Sequence, residues 1–154
     1  PEVLRRLGWS DAEMERLAVQ ERASRGTRTM RQLLYATYSL DMHAESSPDL
    51  DLERFDADVF ERFGDGEAFA EHLYAHFPHV IAYGATYFAY EWARAVARDV
   101  LDQLEGSACA AGALDAFGSA VLRPGRAVKP ARALERLLGR PWSVQAYVRW
   151  LEGA

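Results

Sequence analysis

Apolar positions along this chain recur at three- and four-residue intervals, the period of a helix, and no alternating stretch of useful length suggests a strand. Ser10 followed by Glu13 is a capping-box signature, so a helix is expected from there to about Ser24, with Gly26 and Thr27 as punctuation. From Arg28 to His43 the residues Met30, Leu33, Leu34, Thr37, Tyr38, Leu40 and Met42 make one broad apolar face, ended by Glu45-Ser46-Ser47-Pro48. Asp51 is placed to cap a helix carrying Phe55, Val59, Phe60 and Phe63; Gly64-Asp65-Gly66 reads as a turn and Glu67 to His76 as a short helix. Pro78 interrupts, and the longest unbroken pattern follows, from about Ala82 to Leu104, with Gly106 as its stop. A stretch through Leu114, Phe117 and Leu122 closes at Pro124-Gly125. Pro130 suits the first turn of a helix ending at Gly139, and Ser143 is placed to cap a last one through Val144, Tyr147, Val148 and Leu151. The fold class is therefore all-α.

At 154 residues the chain is expected to form one helical domain, residues 1–154, large enough to bury a core. It holds no apolar run of membrane-spanning length and no signal-peptide pattern. The formal charge of −5 speaks against nucleic-acid or anionic-membrane partners. The charge is uneven: Asp41 to Glu71 holds eleven acids against two arginines, and Leu122 to Arg140 six bases against one acid. Opposed solvated faces explain this, as does a basic end that docks on another part of a larger protein. Cys109 is the sole cysteine, which excludes an internal disulfide and fits a reducing, cytoplasmic location. Small residues and no bases surround it, so it reads as inert filler.

The chemistry concentrates at His79, Tyr83, Tyr87 and Tyr90. On one helix the three tyrosines fall at i, i+4 and i+7, a single stripe, with His79 just upstream. Phenols and imidazoles donate hydrogen bonds to an oxygen that gains charge, so such a row suits the wall of a cleft that holds a peptide backbone or an oxyanion. Equally, aromatic residues at helical spacing pack into cores. His72 and His76 have metal-pair spacing, but a zinc site needs a third ligand and hydrolysis a carboxylate base. The sequence contains no H-E-x-x-H, so no metal ligand is assigned. His43 reads as a surface group or a cap, Leu122-Arg123-Pro124-Gly125-Arg126 as an inter-helix turn, and Trp92 and Trp150 as packing anchors.

The run His79-Val80-Ile81-Ala82-Tyr83-Gly84-Ala85-Thr86-Tyr87-Phe88-Ala89-Tyr90-Glu91-Trp92 resembles the C-terminal region of the thimet oligopeptidase family of zinc metallopeptidases. That region carries a histidine, a glycine-containing loop and then Tyr-x-x-x-Tyr-Tyr-x-Tyr-x-Trp. Leu122 to Gly125 is similar to the family's leucine-arginine-proline-glycine turn, Leu134 to Arg140 to the segment after it, and Arg31 to His43 to a helix before it. Here the paired glycines before the first tyrosine are missing, the loop from His79 is shorter, and Phe88 stands for the middle tyrosine.

The resemblance implies a multi-helix orthogonal array, the C-terminal helical part of a zinc oligopeptidase catalytic domain. His79, Tyr83, Tyr87 and Tyr90 would bind substrate, and Tyr83 and Tyr90 would stabilise the tetrahedral oxyanion. The complete enzyme would use zinc. This chain alone would bind none and be inactive, its partners being short peptides and the upstream metal-binding portion of the same enzyme. The chain opens with Pro1, which reads as a fragment, and the loss of neighbouring helices would leave an apolar face exposed. A stand-alone, non-catalytic peptide-binding or helical interaction module derived from that fold is the alternative.

Overall fold

The computed structural model describes residues 2–45, 47–63, 72–105 and 110–153. Helices make up its regular structure, and no strand occurs among the described residues. They are α1 (Glu2–Arg6), α2 (Asp11–Ala44), α3 (Leu52–Arg62), α4 (Leu73–His76), α5 (Pro78–Ala82), α6 (Ala89–Glu105), α7 (Ala110–Phe117), α8 (Pro130–Leu138) and α9 (Gln145–Glu152). A 3₁₀ turn at Gly84–Thr86 precedes α6, and a wide π turn at Gly118–Leu122 extends α7. The expected turn at Gly64–Gly66, the start of the helix from Glu67, the Gly106 stop and Cys109 lie outside the described residues.

Local chemistry sets the helix ends. Ser10 and Glu13 form the expected capping box: the Glu13 N–H donates to Ser10 Oγ, and the Ser10 N–H donates to Glu13 Oε2 at 2.8 Å. The bonds from Ser10 favour the ionised Glu13 carboxylate and hold its pKa down. Asp51 caps α3 by accepting from the Arg54 N–H, and Gly139 ends α8 in the left-handed conformation. Several boundaries differ from expectation, two of them at α2 and α9. α2 does not stop near Ser24 but continues through Gly26 and Thr27 for 34 residues, because a helical glycine costs less than the turns it would interrupt. α9 begins one residue later than foreseen, with Val144 at the cap and Ser143 Oγ accepting from the Gln145 N–H at 3.2 Å.

Two compact units divide the chain after Glu91, in the first turn of α6. In the first, Leu34, Tyr38, Val59, Phe60, Leu73 and Phe77 form the core, so the second half of α2 packs against α3, α4 and the Phe77 corner. Inside it Asp56 is buried. Its Oδ1 accepts from the Tyr38 hydroxyl at 2.5 Å and its Oδ2 from the Leu73 N–H at 2.9 Å. Burial, then the bond and charge of Asp56, push the Tyr38 phenol far above its usual range, so it remains a donor.

In the second unit, α8 packs against the π turn, whose last residue, Leu122, opens the leucine-arginine-proline-glycine turn. Asp99 of α6, 2% exposed, accepts from Arg140 at 2.7 and 2.9 Å and from the Ser143 N–H at 2.7 Å. This fork ties α6 to the link between α8 and α9. Trp92 packs edge-on against Trp142, and Arg98 lies over the ring of Trp150 at 4.3 Å, so both expected anchors make aromatic contacts.

Two predictions follow from these features. A Cβ on Gly26 would meet nothing within 4 Å, and its φ is not positive. Gly26→Ala should therefore raise stability by about 0.5–1 kcal/mol in a urea melt, through lower backbone entropy of the unfolded chain. The Arg140 bond holds the folded Asp99 pKa below its ordinary value. Stability from that lowered pKa is full above the unfolded carboxylate range and falls away as pH drops through the folded value. Asp99→Ala should cost about 2 kcal/mol near neutrality, and less at pH 3 as the wild type loses the same contribution. Parallel denaturant titrations at the two pH values check this.

Candidate functional site

The aromatic run is not the single helix that its spacing predicts. α5 ends at Ala82, Tyr83 has non-helical backbone angles, Gly84 takes a φ of +59°, and α6 starts only at Ala89. Three tyrosines therefore leave one helical stripe and are spread over a turn. The turn gathers them around a common neighbour. The ring centroid of His79 lies 5.3 Å from that of Tyr83, 5.1 Å from Tyr87 and 5.9 Å from Tyr90. His79 Nε2 and the Tyr90 hydroxyl stand 3.2 Å apart, a hydrogen bond whose direction follows the imidazole tautomer. The structure thus brings all four candidate residues together, in a different geometry from the one expected.

Their exposures differ in a way that separates the roles open to them. Tyr83 is 65% and Tyr90 54% exposed, which is not the burial of core rings. Tyr87 is half-buried, against Tyr35 of α2 at 5.5 Å, Phe77 at 5.2 Å and Tyr90 at 4.9 Å. Burial raises the Tyr87 pKa, partly offset by a hydrogen bond from the Gln32 side chain, so the phenol keeps its proton at neutral pH. The faces offered to solvent are hydrogen-bond donors and π surfaces, groups that can meet an acceptor oxygen.

Several contributors to this geometry lie on α2 and escape a reading of the tyrosine run. Ser39 is fully buried, and its hydroxyl donates to the Gly84 carbonyl at 2.7 Å. A Cβ on Gly84 would stand 3.7 Å from Nε2 of His43, whose Nδ1 lies 2.7 Å from the Ser39 carbonyl. Gln32, Tyr35, Ser39 and His43 fall at helical spacing, so one stripe of α2 backs the whole turn. The signal in the sequence was a serine and a glutamine set into an apolar helix face. His43 is exposed at the helix end, as expected of a surface group.

His72 and His76 do not act as a pair. His72 adopts a φ of +52° and its Nδ1 lies 2.9 Å from the Tyr74 hydroxyl, while His76 Nδ1 lies 3.0 Å from the His72 carbonyl. Among the described residues no three His, Cys, Asp or Glu side chains stand together as a metal site. The donor set needed for a catalytic zinc is therefore not found among them.

An all-helical chain presenting phenols and an imidazole on an open turn is the class defined so far. The family model described as Peptidase family M3 matches residues 9–152. The chain belongs to peptidase family M3, a family of metallopeptidases. No curated protein and no solved structure matches it. Among the described residues no helix is long and apolar enough to cross a membrane.

Gly84 gives a direct check on this turn. Its positive φ is costly for a residue with a Cβ, while the 3.7 Å neighbour is an ordinary contact. Gly84→Ala should lower stability by about 1–2 kcal/mol, the opposite sign to alanine at Gly26, measured by chemical denaturation.

Proposed function

We propose that this chain is the substrate-binding and oxyanion-stabilising portion of a zinc oligopeptidase acting on short peptides. The observation that carries this is the exposed pair Tyr83 and Tyr90 flanking His79, on a chain of peptidase family M3. In this reading His79 and Tyr87 hydrogen-bond the peptide backbone and orient it. As the scissile carbonyl becomes tetrahedral, its oxygen gains negative charge, and the Tyr83 and Tyr90 hydroxyls donate to it. Such donors are fixed before reaction begins, so little reorganisation is needed when the charge appears. Zinc, held by an upstream portion of the same enzyme, would supply the activated water. The described residues contribute neither its ligands nor the general base.

An upstream partner portion is supported by apolar surface on the first turns of α2. There Leu4, Met14, Leu17 and Ala18 border an open groove of about 610 Å³. We place the enzyme in the cytoplasm, in keeping with one cysteine in 154 residues. The exposed turn also fits one other reading, a module that holds peptides there without cutting them.

In the complete enzyme Tyr90→Phe should lower kcat by about 10²–10³ while KM changes little, because the lost bond forms in the transition state. Unchanged turnover in steady-state peptide cleavage removes the oxyanion role, and peptide binding without turnover in the complete wild-type protein supports the module.

A further inference from the structure

We propose that Tyr38 and Ser39, consecutive residues of α2, form a positioning pair that fixes both ends of the segment carrying His79 and Tyr83. The proposal rests on the functional reading above only for what the segment does, not for how it is held.

The segment runs from Leu73 to Gly84 and consists of α4, a corner at Phe77, and α5. Helices of four and five residues are too short to persist on their own in water. Something outside them has to place His79. At the leading end the Leu73 N–H donates to Asp56, whose other oxygen accepts from Tyr38. At the trailing end the Gly84 carbonyl accepts from Ser39. Tyr38 and Ser39 are each 0% exposed. Their hydroxyls cannot exchange these partners for water, and breaking either bond strands a buried polar group. Between the two tethers the Phe77 ring fills the corner, 5.1 Å from Tyr35 and 5.3 Å from His79, and passes the position of α2 on to the imidazole. None of these groups belongs to the exposed face that would meet a peptide, so both residues act through others.

The test uses the chain labelled with ¹³C on histidine and tyrosine, and reads the nuclear Overhauser cross-peaks between the His79 ring and the rings of Tyr83 and Tyr90. Ser39→Ala should at least halve these cross-peaks while those between Tyr38 and Phe55, 5.1 Å apart in the core, persist. Ala36→Gly, on the same helix and free of either tether, serves as the control for general loss of stability. At the leading end Asp56→Asn offers one acceptor oxygen to two donors, the Leu73 N–H and the Tyr38 hydroxyl, so the cross-peaks should weaken, and cross-peaks at full strength overturn the role of Tyr38. Asp56→Ala should lose them or fail to fold. In the complete enzyme Ser39→Ala should cut kcat about 10- to 100-fold with KM within about threefold, the effect of a misplaced group. Cross-peaks that survive Ser39→Ala, or that weaken equally in Ala36→Gly, overturn the proposal whatever the activity. Cross-peaks lost in Ser39→Ala alone sustain it even if Tyr90→Phe proves silent, in which case the peptidase role fails and the positioning stands.

Discussion

A carboxylate taken out of water has to be met by donors, and the elements that supply them are then fixed relative to one another. Asp56 imposes this on the first unit. One oxygen is met by a side chain of α2 and the other by the backbone at the start of α4. Neither helix can shift by an ångström without leaving a buried acceptor short. The aromatic core around Tyr38, Phe60 and Phe77 supplies most of the burial energy, but apolar packing is non-directional and tolerates sliding. The Asp56 bonds remove that freedom. The second unit uses the same device in a wetter setting, where Asp99 is buried and its partner Arg140 keeps part of its guanidinium in solvent. There the fork geometry rather than complete enclosure gives the specificity.

Much of the helical pattern was legible because its causes are local. A serine three residues before a glutamate, an aspartate before an apolar run, and a glycine after one each satisfy backbone groups within a turn. Ser10, Asp51 and Gly139 accordingly do what their neighbours suggest. The stop at Gly26 failed because glycine weakens a helix without ending it, and nothing nearby supplied an alternative turn. The tyrosine run was read as one helical stripe, and that geometry was wrong. Four residues of donor type within twelve positions made the run a candidate. Whether they share a helix depends on the backbone sign at Gly84, which composition does not reveal. Their support was less legible still. Ser39 and Gly84 are 45 positions apart and Asp99 and Arg140 are 41 apart, and no rule of spacing connects them.

The family relationship and the geometry inform each other at one point. Departures from the family pattern fall between His79 and Tyr83, where the loop is short and its glycines are replaced. In the structure that interval is α5, with Pro78 at its first turn. Helical spacing brings the rings of His79 and Tyr83 together, and the turn at Gly84 brings Tyr87 and Tyr90 to the same imidazole. Phe88, where the pattern has a tyrosine, is part-exposed and carries no hydroxyl.

A helix of 34 residues is about 50 Å long. Its buried positions begin at Thr29, and the five turns before it carry only part-buried and exposed residues. Along those turns lie surface ion pairs, among them Glu15 with Arg22 and Glu21 with Arg28. Salt screens such pairs and hardly touches a sealed core. Ionic strength thus acts on the early turns of α2 through these pairs and reaches the later half through the exposed pair of Arg62 with Asp41, while the sealed hydroxyls of Tyr38 and Ser39 are screened least.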